Sequence, residues 1–145
     1  MSNQPPYGGA PAGKTKTLGL DYNVAALLCY LPCCINVIAS VLWLVTEPKE
    51  SRLVRFHSLQ SLLLMGVVIV AYIVLLIIFT VFGVGTAMVQ NSAAGAAASA
   101  GGFGLLSICW ILFGLVVFAV HVMGMIKAYQ GQIWKLPIIG NLADK

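Results

Sequence analysis

Long apolar runs separated by short polar segments dominate the chain. The runs cover residues 22–45, 54–82 and 103–126, and no charged residue lies between Leu62 and Phe82. An α-helix rises about 1.5 Å per residue, so about 20 residues cross a hydrocarbon core about 30 Å thick. Each run is long enough to do so. The pattern therefore predicts an all-α membrane protein with three transmembrane helices.

Pro32 interrupts the first run near its middle. Proline lacks the N–H that a helix interior needs, so we expect the first span to be kinked at Pro32. The alternative is a re-entrant hairpin that turns at Pro32, Cys33 and Cys34 and leaves only two full spans. Such irregular backbone has to be sheltered by protein. Pro48, in the polar loop of residues 46–55, helps to end the helix before it.

Polar and low-complexity segments flank the runs. Residues 1–20 are rich in Pro and Gly and offer little to bury, which predicts a disordered tail before a membrane domain of residues 21–145. Residues 83–102 are an uncharged linker rich in Ala, Gly and Ser, either a flexible loop or a short helical cap. Residues 127–145 are predicted to be an interfacial tail, because aromatic and basic side chains suit the boundary between lipid and water.

The composition argues against an ordinary soluble domain. Apolar residues make up 60% of the chain and charged residues 8%, whereas a globular domain has about 45–50% and about 25%. So few charges cannot cover a core this apolar, but lipid can. The basic residues are scattered and form no stripe with aromatic residues, so we predict no nucleic-acid partner. The predicted partners are membrane lipids and either other membrane protein subunits or further copies of this chain.

The basic residues also predict an orientation. With three spans, Lys14 and Lys16 lie on one side of the membrane. The other side carries six basic residues, namely Lys49, Arg52, Arg55, Lys127, Lys135 and Lys145. Because basic residues accumulate in cytoplasmic segments, we expect the C-terminus in the cytoplasm and the N-terminus outside. A re-entrant first segment would place the N-terminus in the cytoplasm as well.

Polar residues collect at the predicted cytoplasmic end of the second and third spans. His57 and Gln60 are three residues apart and share a helix face, and His121 lies at a similar depth on the third span. The predicted polar cluster or lipid headgroup contact comprises Arg52, Arg55, His57, Gln60, His121, Trp134 and Lys135. Such residues either hydrogen-bond helices together or line a path for protons or ions.

The sequence predicts neither a metal site nor a cofactor. Its four cysteines, Cys29, Cys33, Cys34 and Cys109, lie in apolar surroundings without a complete ligand set. The four acids, Asp21, Glu47, Glu50 and Asp144, lie outside the predicted spans, and none is embedded beside a histidine. We therefore expect the protein not to be an enzyme, because catalysis needs acidic or nucleophilic groups within reach of one another.

Four motifs carry a family resemblance. They are Ala25–Pro32 (AALLCYLP), Val54–Ser61 (VRFHSLQS), Ala128–Gly131 (AYQG) and Trp134–Gly140 (WKLPIIG). Over residues 19–143 the chain resembles a prokaryotic family of small membrane proteins of unknown function that includes the magnetosome protein MamF. That family is similar to the Tic translocon channel subunit of the chloroplast inner envelope. The resemblance implies a multi-pass protein of the prokaryotic inner (plasma) membrane.

These observations predict a small polytopic membrane protein that acts as a structural or accessory subunit of a membrane assembly. The alternative is an oligomeric channel or a protein-translocation component. A channel should show water-accessible polar side chains along a whole span, and residues 62–82 show almost none. The structural role is therefore the leading hypothesis.

Overall fold

The computed structural model describes residues 13–32, 34–89, 91–136 and 139–143. These residues form helices and no strands beyond one isolated bridge. The helices are α1 (Tyr22–Leu28), α2 (Cys34–Thr46), α3 (Arg52–Val89), α4 (Ala93–Tyr129) and α5 (Ile139–Ala143). Internal contacts divide the chain into two units, residues 1–66 with 120–145, and residues 67–119. The all-helical class predicted from the sequence is confirmed.

The prediction of one kinked helix over residues 22–45 is wrong. Backbone bonds from Tyr30 to Leu27 and from Leu31 to Leu28 tighten the end of α1, at 3.0 and 3.3 Å, and Pro32 cannot continue the helix. With 7 and 13 residues, α1 and α2 extend about 11 and about 20 Å, less than the ~30 Å of a hydrocarbon core. Three transmembrane helices are therefore not confirmed.

The two short helices pack against each other. The indole nitrogen of Trp43 on α2 donates to the carbonyl of Ala25 on α1 at 3.1 Å, and both residues are buried. Ala26 and Ala39 are buried as well, and their small side chains let the helix backbones come close. The two helices thus form a packed pair, whereas a re-entrant hairpin in the membrane stays a prediction.

Residues 13–21 form a tight turn before α1, closed by an antiparallel bridge between Lys14 and Asp21. Thr15 is buried there, and its hydroxyl accepts a hydrogen bond from the backbone N–H of Leu20 at 3.0 Å. Residues 1–12 of the predicted tail lie outside the described residues. The structure therefore describes the last part of the predicted tail, residues 13–20, as a bridged loop.

Among the described residues, α3 and α4 are the helices long and apolar enough to cross a membrane. They contain 38 and 37 residues, about 57 and about 56 Å of helix. α3 continues beyond the predicted end at residue 82, and α4 begins at Ala93. Most of the 83–102 linker is therefore helical, as alanine favours.

Within residues 67–119, α3 and α4 pack through aromatic pairs. Tyr72 meets Trp110 edge to face with ring centroids 5.1 Å apart, and Phe103 meets Phe79 and Phe82 at 5.5 Å each. Most large apolar side chains of this helical hairpin are nevertheless exposed. Such a surface needs an apolar environment, which a bilayer provides.

The close approach of α4 to Phe82 gives the first prediction. A Cβ atom at Gly102 would lie 1.9 Å from Cζ of Phe82, whereas one at Gly101 would meet nothing within 4 Å. We expect Gly102→Val to lower the free energy of unfolding by about 1–3 kcal/mol, because overpacking displaces the ring. Gly101→Val is the matched control, with the same change in helix propensity. Unfolding in detergent, followed by circular dichroism, measures both variants, and equal losses would contradict the packing.

Candidate functional site

A buried polar network centres on the hydroxyl of Tyr30. Tyr30, His57 and Gln60 are fully buried. The Tyr30 oxygen lies 3.1 Å from Nδ1 of His57 and 3.1 Å from Nε2 of Gln60. Tyr30 follows α1, whereas His57 and Gln60 lie one turn apart near the start of α3. These three residues, called the Tyr30 network below, therefore join the end of α1 to α3.

The Tyr30 network also binds the non-helical segment that follows α4. Nε2 of His57 lies 3.1 Å from the carbonyl oxygen of Gln132. Nε2 of Gln60 donates to the carbonyl of Trp134 at 3.1 Å, and its Oε1 accepts from the N–H of Leu136 at 3.5 Å. A non-helical segment has no helical partners for its backbone groups. The two α3 side chains supply them.

The contacts of the Tyr30 network fix the positions of its protons. A carbonyl only accepts, so Nε2 of His57 carries the hydrogen that faces Gln132. In a neutral imidazole Nδ1 is then an acceptor, and the Tyr30 hydroxyl donates to it. The same hydroxyl oxygen accepts from Gln60, whose amide has two donors. Every member thus has a partner of the right kind when His57 is neutral.

α4 approaches the Tyr30 ring at Gly124. A Cβ atom there would lie 2.7 Å from Cδ1 and Cε1 of Tyr30. The ring also stands edge to face against His57, with centroids 5.6 Å apart, and the rings of Phe56 and His57 meet edge to face at 5.4 Å. Gly124 therefore gives Tyr30 the space in which its hydroxyl reaches the two α3 side chains.

A second set of small polar groups joins α1 and α2 to α3. The hydroxyls of Ser40 and Ser61 lie 2.6 Å apart, and Sγ of Cys29 lies 3.4 Å from the hydroxyl of Ser58. All four residues are buried. Small hydrogen-bonding side chains allow close helix approach in membrane proteins. The short helices are therefore held to α3 by polar contacts as well as by apolar packing.

The C-terminus of α2 is capped from α3. Nη1 of Arg55 donates to the carbonyls of Leu44 and Glu47, each at 2.9 Å. Cations are favourable at this end of a helix, where carbonyls lack partners. The Glu47 carboxylate is buried, and its Oε1 accepts from the backbone N–H of Lys16 at 2.8 Å. This loop thus ties the N-terminal turn to α2 and α3.

The structure brings together part of the polar cluster predicted from the sequence. His57 and Gln60 meet the backbone of the 129–135 segment at Gln132 and Trp134. Both ring nitrogens of His57 are engaged by Tyr30 and Gln132, rather than by His121. His121 is half-exposed on α4.

The three basic members of the predicted cluster have separate positions. Nη1 of Arg55 caps α2, although the sequence predicts that it points to lipid headgroups. Arg52 and Lys135 are exposed. A headgroup contact by these two residues stays a prediction.

Sequence reasoning missed Tyr30 and Gly124. In the sequence, Tyr30 is one of several aromatic residues in the apolar runs, and Gly124 is one of several glycines in them. Their signals were a hydroxyl two residues before Pro32 and a glycine within a helix, which often marks close packing. The carbonyl of Gln132 leaves no signal in a sequence, because every residue has one.

The described cysteines are free thiols. Cys29 is buried, and Cys34 and Cys109 are exposed. Cys33 lies outside the described residues. In the part of the chain that the structure describes, no group of three or more His, Cys, Asp or Glu side chains is arranged to hold a metal ion. The prediction that the protein uses no cofactor is not tested by this arrangement.

The described residues belong to a small helical protein, and two of their helices are long and apolar enough to cross a bilayer. The chain belongs to the magnetosome magnetite crystal formation protein family, whose model matches residues 15–143. This confirms the family resemblance carried by the motifs. The similarity to the Tic subunit stays a prediction.

Archaeal relatives are also named as membrane proteins. The chain is 35% identical to a UPF0132 membrane protein of Methanocaldococcus jannaschii over 92% of its own length and 94% of the relative. It is 30% identical to a UPF0132 membrane protein of Archaeoglobus fulgidus over 85% and 92% of the two chains. No solved structure matches the chain. These relatives and the family model therefore place the chain in a family of membrane proteins.

The second prediction tests the Tyr30 network. We expect Tyr30→Phe to lower the free energy of unfolding by about 1–3 kcal/mol, because buried groups of His57 and Gln60 lose their partner. Tyr129→Phe is the matched control, since Tyr129 is 60% exposed, and it should be nearly neutral. Denaturant unfolding in detergent, followed by tryptophan fluorescence, measures both. A Tyr30→Phe variant as stable as the control would contradict the network.

Proposed function

We propose that the protein is a structural subunit of a membrane assembly, anchored by α3 and α4 as two transmembrane helices. The observation that carries the proposal is the exposed apolar surface of residues 67–119, where large side chains such as Val81, Leu105 and Phe118 are each 68% exposed. A two-helix hairpin of this kind buries its surface only against lipid or against further helices. The proposed role is therefore to anchor the assembly in the membrane and to pack against its other helices.

The polar side chains of residues 67–119 favour this role over the channel alternative. Thr80 bonds the carbonyl of Leu76, and Ser107 bonds the carbonyl of Phe103 at 2.8 Å. Thr86 and Ser99 are buried and bond carbonyls of their own helices. A pore needs polar groups that face water along a span. Here each of these hydroxyls donates its hydrogen bond to a carbonyl of its own helix.

Two spans also support a simpler orientation than the one predicted from three. If α1 and α2 stay on one side, all eight Lys and Arg residues flank the same ends of α3 and α4. Residues 90–92, between the two helices, carry no charge. Because basic residues accumulate in the cytoplasm, both termini lie there in the proposed topology. The inner (plasma) membrane is the proposed location.

The third prediction tests the structural role. A photocrosslinking amino acid at Leu105 or Leu112, both exposed on α4, should give discrete protein adducts in native membranes. The same residue at Glu50, in the exposed loop before α3, is the control for nonspecific adducts. Vesicles that contain the purified protein should leak ions no faster than empty vesicles. Adducts with lipid alone would contradict the subunit role, and a steady leak would favour the channel.

The fourth prediction tests the topology. With the native cysteines replaced, single cysteines at Leu18 and Glu50 should react with an impermeant maleimide from the cytoplasmic side, and one at Asn91 from the opposite side. All three positions are exposed. The physical reason is that only α3 and α4 have the length to cross the bilayer. Labelling of Leu18 and Glu50 from opposite sides would restore the three-span topology.

A further inference from the structure

The polarity of α2 is the reverse of that expected for a helix at the surface of a water-soluble protein. The side chains it buries are small or polar except for one indole: Asn36, Ala39, Ser40 and Trp43. Its exposed large side chains are apolar and between 46% and 80% exposed, namely Ile35, Ile38, Val41 and Val45. These four recur every three or four residues and so share one side of the helix, called the α2 face below. A helix that faces water shows polar residues there, so the α2 face needs an apolar cover.

Hydrogen bonds set how α2 lies along α3. Near the end of α2, Nη1 of Arg55 donates to the carbonyls of Leu44 and Glu47, each at 2.9 Å. Nearer the middle of α2, the hydroxyl of Ser40 lies 2.6 Å from that of Ser61. Later residues of α3 therefore meet earlier residues of α2, so the two helices run antiparallel. If α3 crosses a bilayer, α2 lies alongside it rather than flat on the membrane surface.

The start of α2 lies level with the uncharged part of α3. Arg55 is the last charged residue of α3. Ser61 lies six residues beyond Arg55, about 9 Å along the helix. Ile35 lies five residues before Ser40 on the antiparallel α2, which adds about 7.5 Å in the same direction. Ile35 is therefore about 16 Å beyond the level of Arg55, about half the thickness of a ~30 Å hydrocarbon core.

The charges next to α1 and α2 lie at the other end of the pair. Residues 22–46 contain no charged residue. The exposed charged side chains lie in the turn before α1 and between α2 and the first residue of α3, namely Lys14, Lys16, Asp21, Lys49, Glu50 and Arg52. These two segments are joined, because the N–H of Lys16 donates to Oε1 of Glu47 at 2.8 Å. One charged end and one apolar end match the change from headgroups to acyl chains in a bilayer.

The turn after α1 suits an apolar environment. In lipid, every unpaired backbone N–H is costly. The N–H of Tyr30 donates to the carbonyl of Leu27, and that of Leu31 donates to the carbonyl of Leu28. Pro32 is exposed and has no N–H. These three residues of the turn therefore bring no unpaired donor into the membrane.

We propose that α1 and α2 enter the bilayer beside α3 as a re-entrant hairpin, and that lipid acyl chains cover the α2 face. Ile35 and Ile38 lie among the acyl chains, Val45 lies near the headgroups, and both ends of the hairpin stay on one side. Lipid is the occupant that fits, because a bilayer has the same change from charged to apolar along its depth as the pair. The inference rests on the crossing of the membrane by α3 in the proposed function, and it adds a third element to the part of the chain embedded in lipid.

Spin-label accessibility tests the proposal in vesicles of phosphatidylcholine and phosphatidylglycerol. With the native cysteines replaced, the full chain carries one spin label at Ile38, Val45, Lys49 or Ile77, which are all exposed. Oxygen partitions into lipid and a water-soluble nickel chelate does not, so the ratio of their collision rates with the label reports depth. We expect this ratio at Ile38 to be several times that at Lys49, with an intermediate value at Val45. Ile77 on α3 is the control for membrane insertion and should give a ratio at least as high as Ile38.

A second measurement uses the wild-type chain, so it does not depend on the folding of variants. Phosphatidylcholine with a photoreactive group near the middle of an acyl chain should label residues 34–45 well above residues 47–51. Labelling at one low level in both segments would overturn the proposal.

The spin label at Ile38 separates three surroundings. A label that meets oxygen and not the nickel chelate lies in lipid, as proposed. One that meets the nickel chelate as often as the label at Lys49 faces water, and one that meets neither reagent is covered by protein, which includes a second copy of this chain. Either of these two results would overturn the re-entrant hairpin.

The label at Ile77 keeps this inference apart from the proposed function. If Ile77 faces water, α3 does not cross the membrane there and the proposed anchoring role fails. If Ile77 lies in lipid while Ile38 does not, the anchoring role stands and the re-entrant hairpin alone fails.

Discussion

A buried polar group is costly without a hydrogen-bond partner, and the pairing of the Tyr30 network joins α1, α3 and the segment after α4. The Tyr30 hydroxyl, the His57 ring and the Gln60 amide are fully buried, and each would cost about 1–3 kcal/mol if left unpaired. Their mutual contacts satisfy most of this requirement, and backbone groups after α4 satisfy the rest. The segment after α4 is therefore held against α3 by this pairing.

The same constraint explains how a broken first segment is tolerated. Helix ends leave carbonyls without partners, and a chain that breaks at Pro32 creates additional ends. Trp43 donates to a carbonyl of α1, and Arg55 donates to two carbonyls at the end of α2. Broken backbone is tolerated where its polar groups find partners. These two side chains provide such partners for carbonyls of α1 and α2.

Residues 67–119 meet the constraint in a different way. Their backbone groups pair within long helices, and their hydroxyls bond carbonyls of the same helix. Aromatic contacts and the close approach at Gly102 hold the two helices together, while the remaining apolar surface faces outward. This division matches a protein that anchors through one part and keeps its paired polar groups in another.

The sequence by itself determined the helical class, the membrane family and both long helices, because apolar run length and composition act locally. It also marked His57 and Gln60 as unusual polar residues in apolar surroundings. Tertiary structure decided the rest. Pro32 separates two helices here, and α1 then packs against α2, where Trp43 donates to the carbonyl of Ala25; a sequence pattern does not encode that packing. The partner of His57 depends on a backbone carbonyl at Gln132, and no residue pattern encodes where a carbonyl will lie until the fold brings it there.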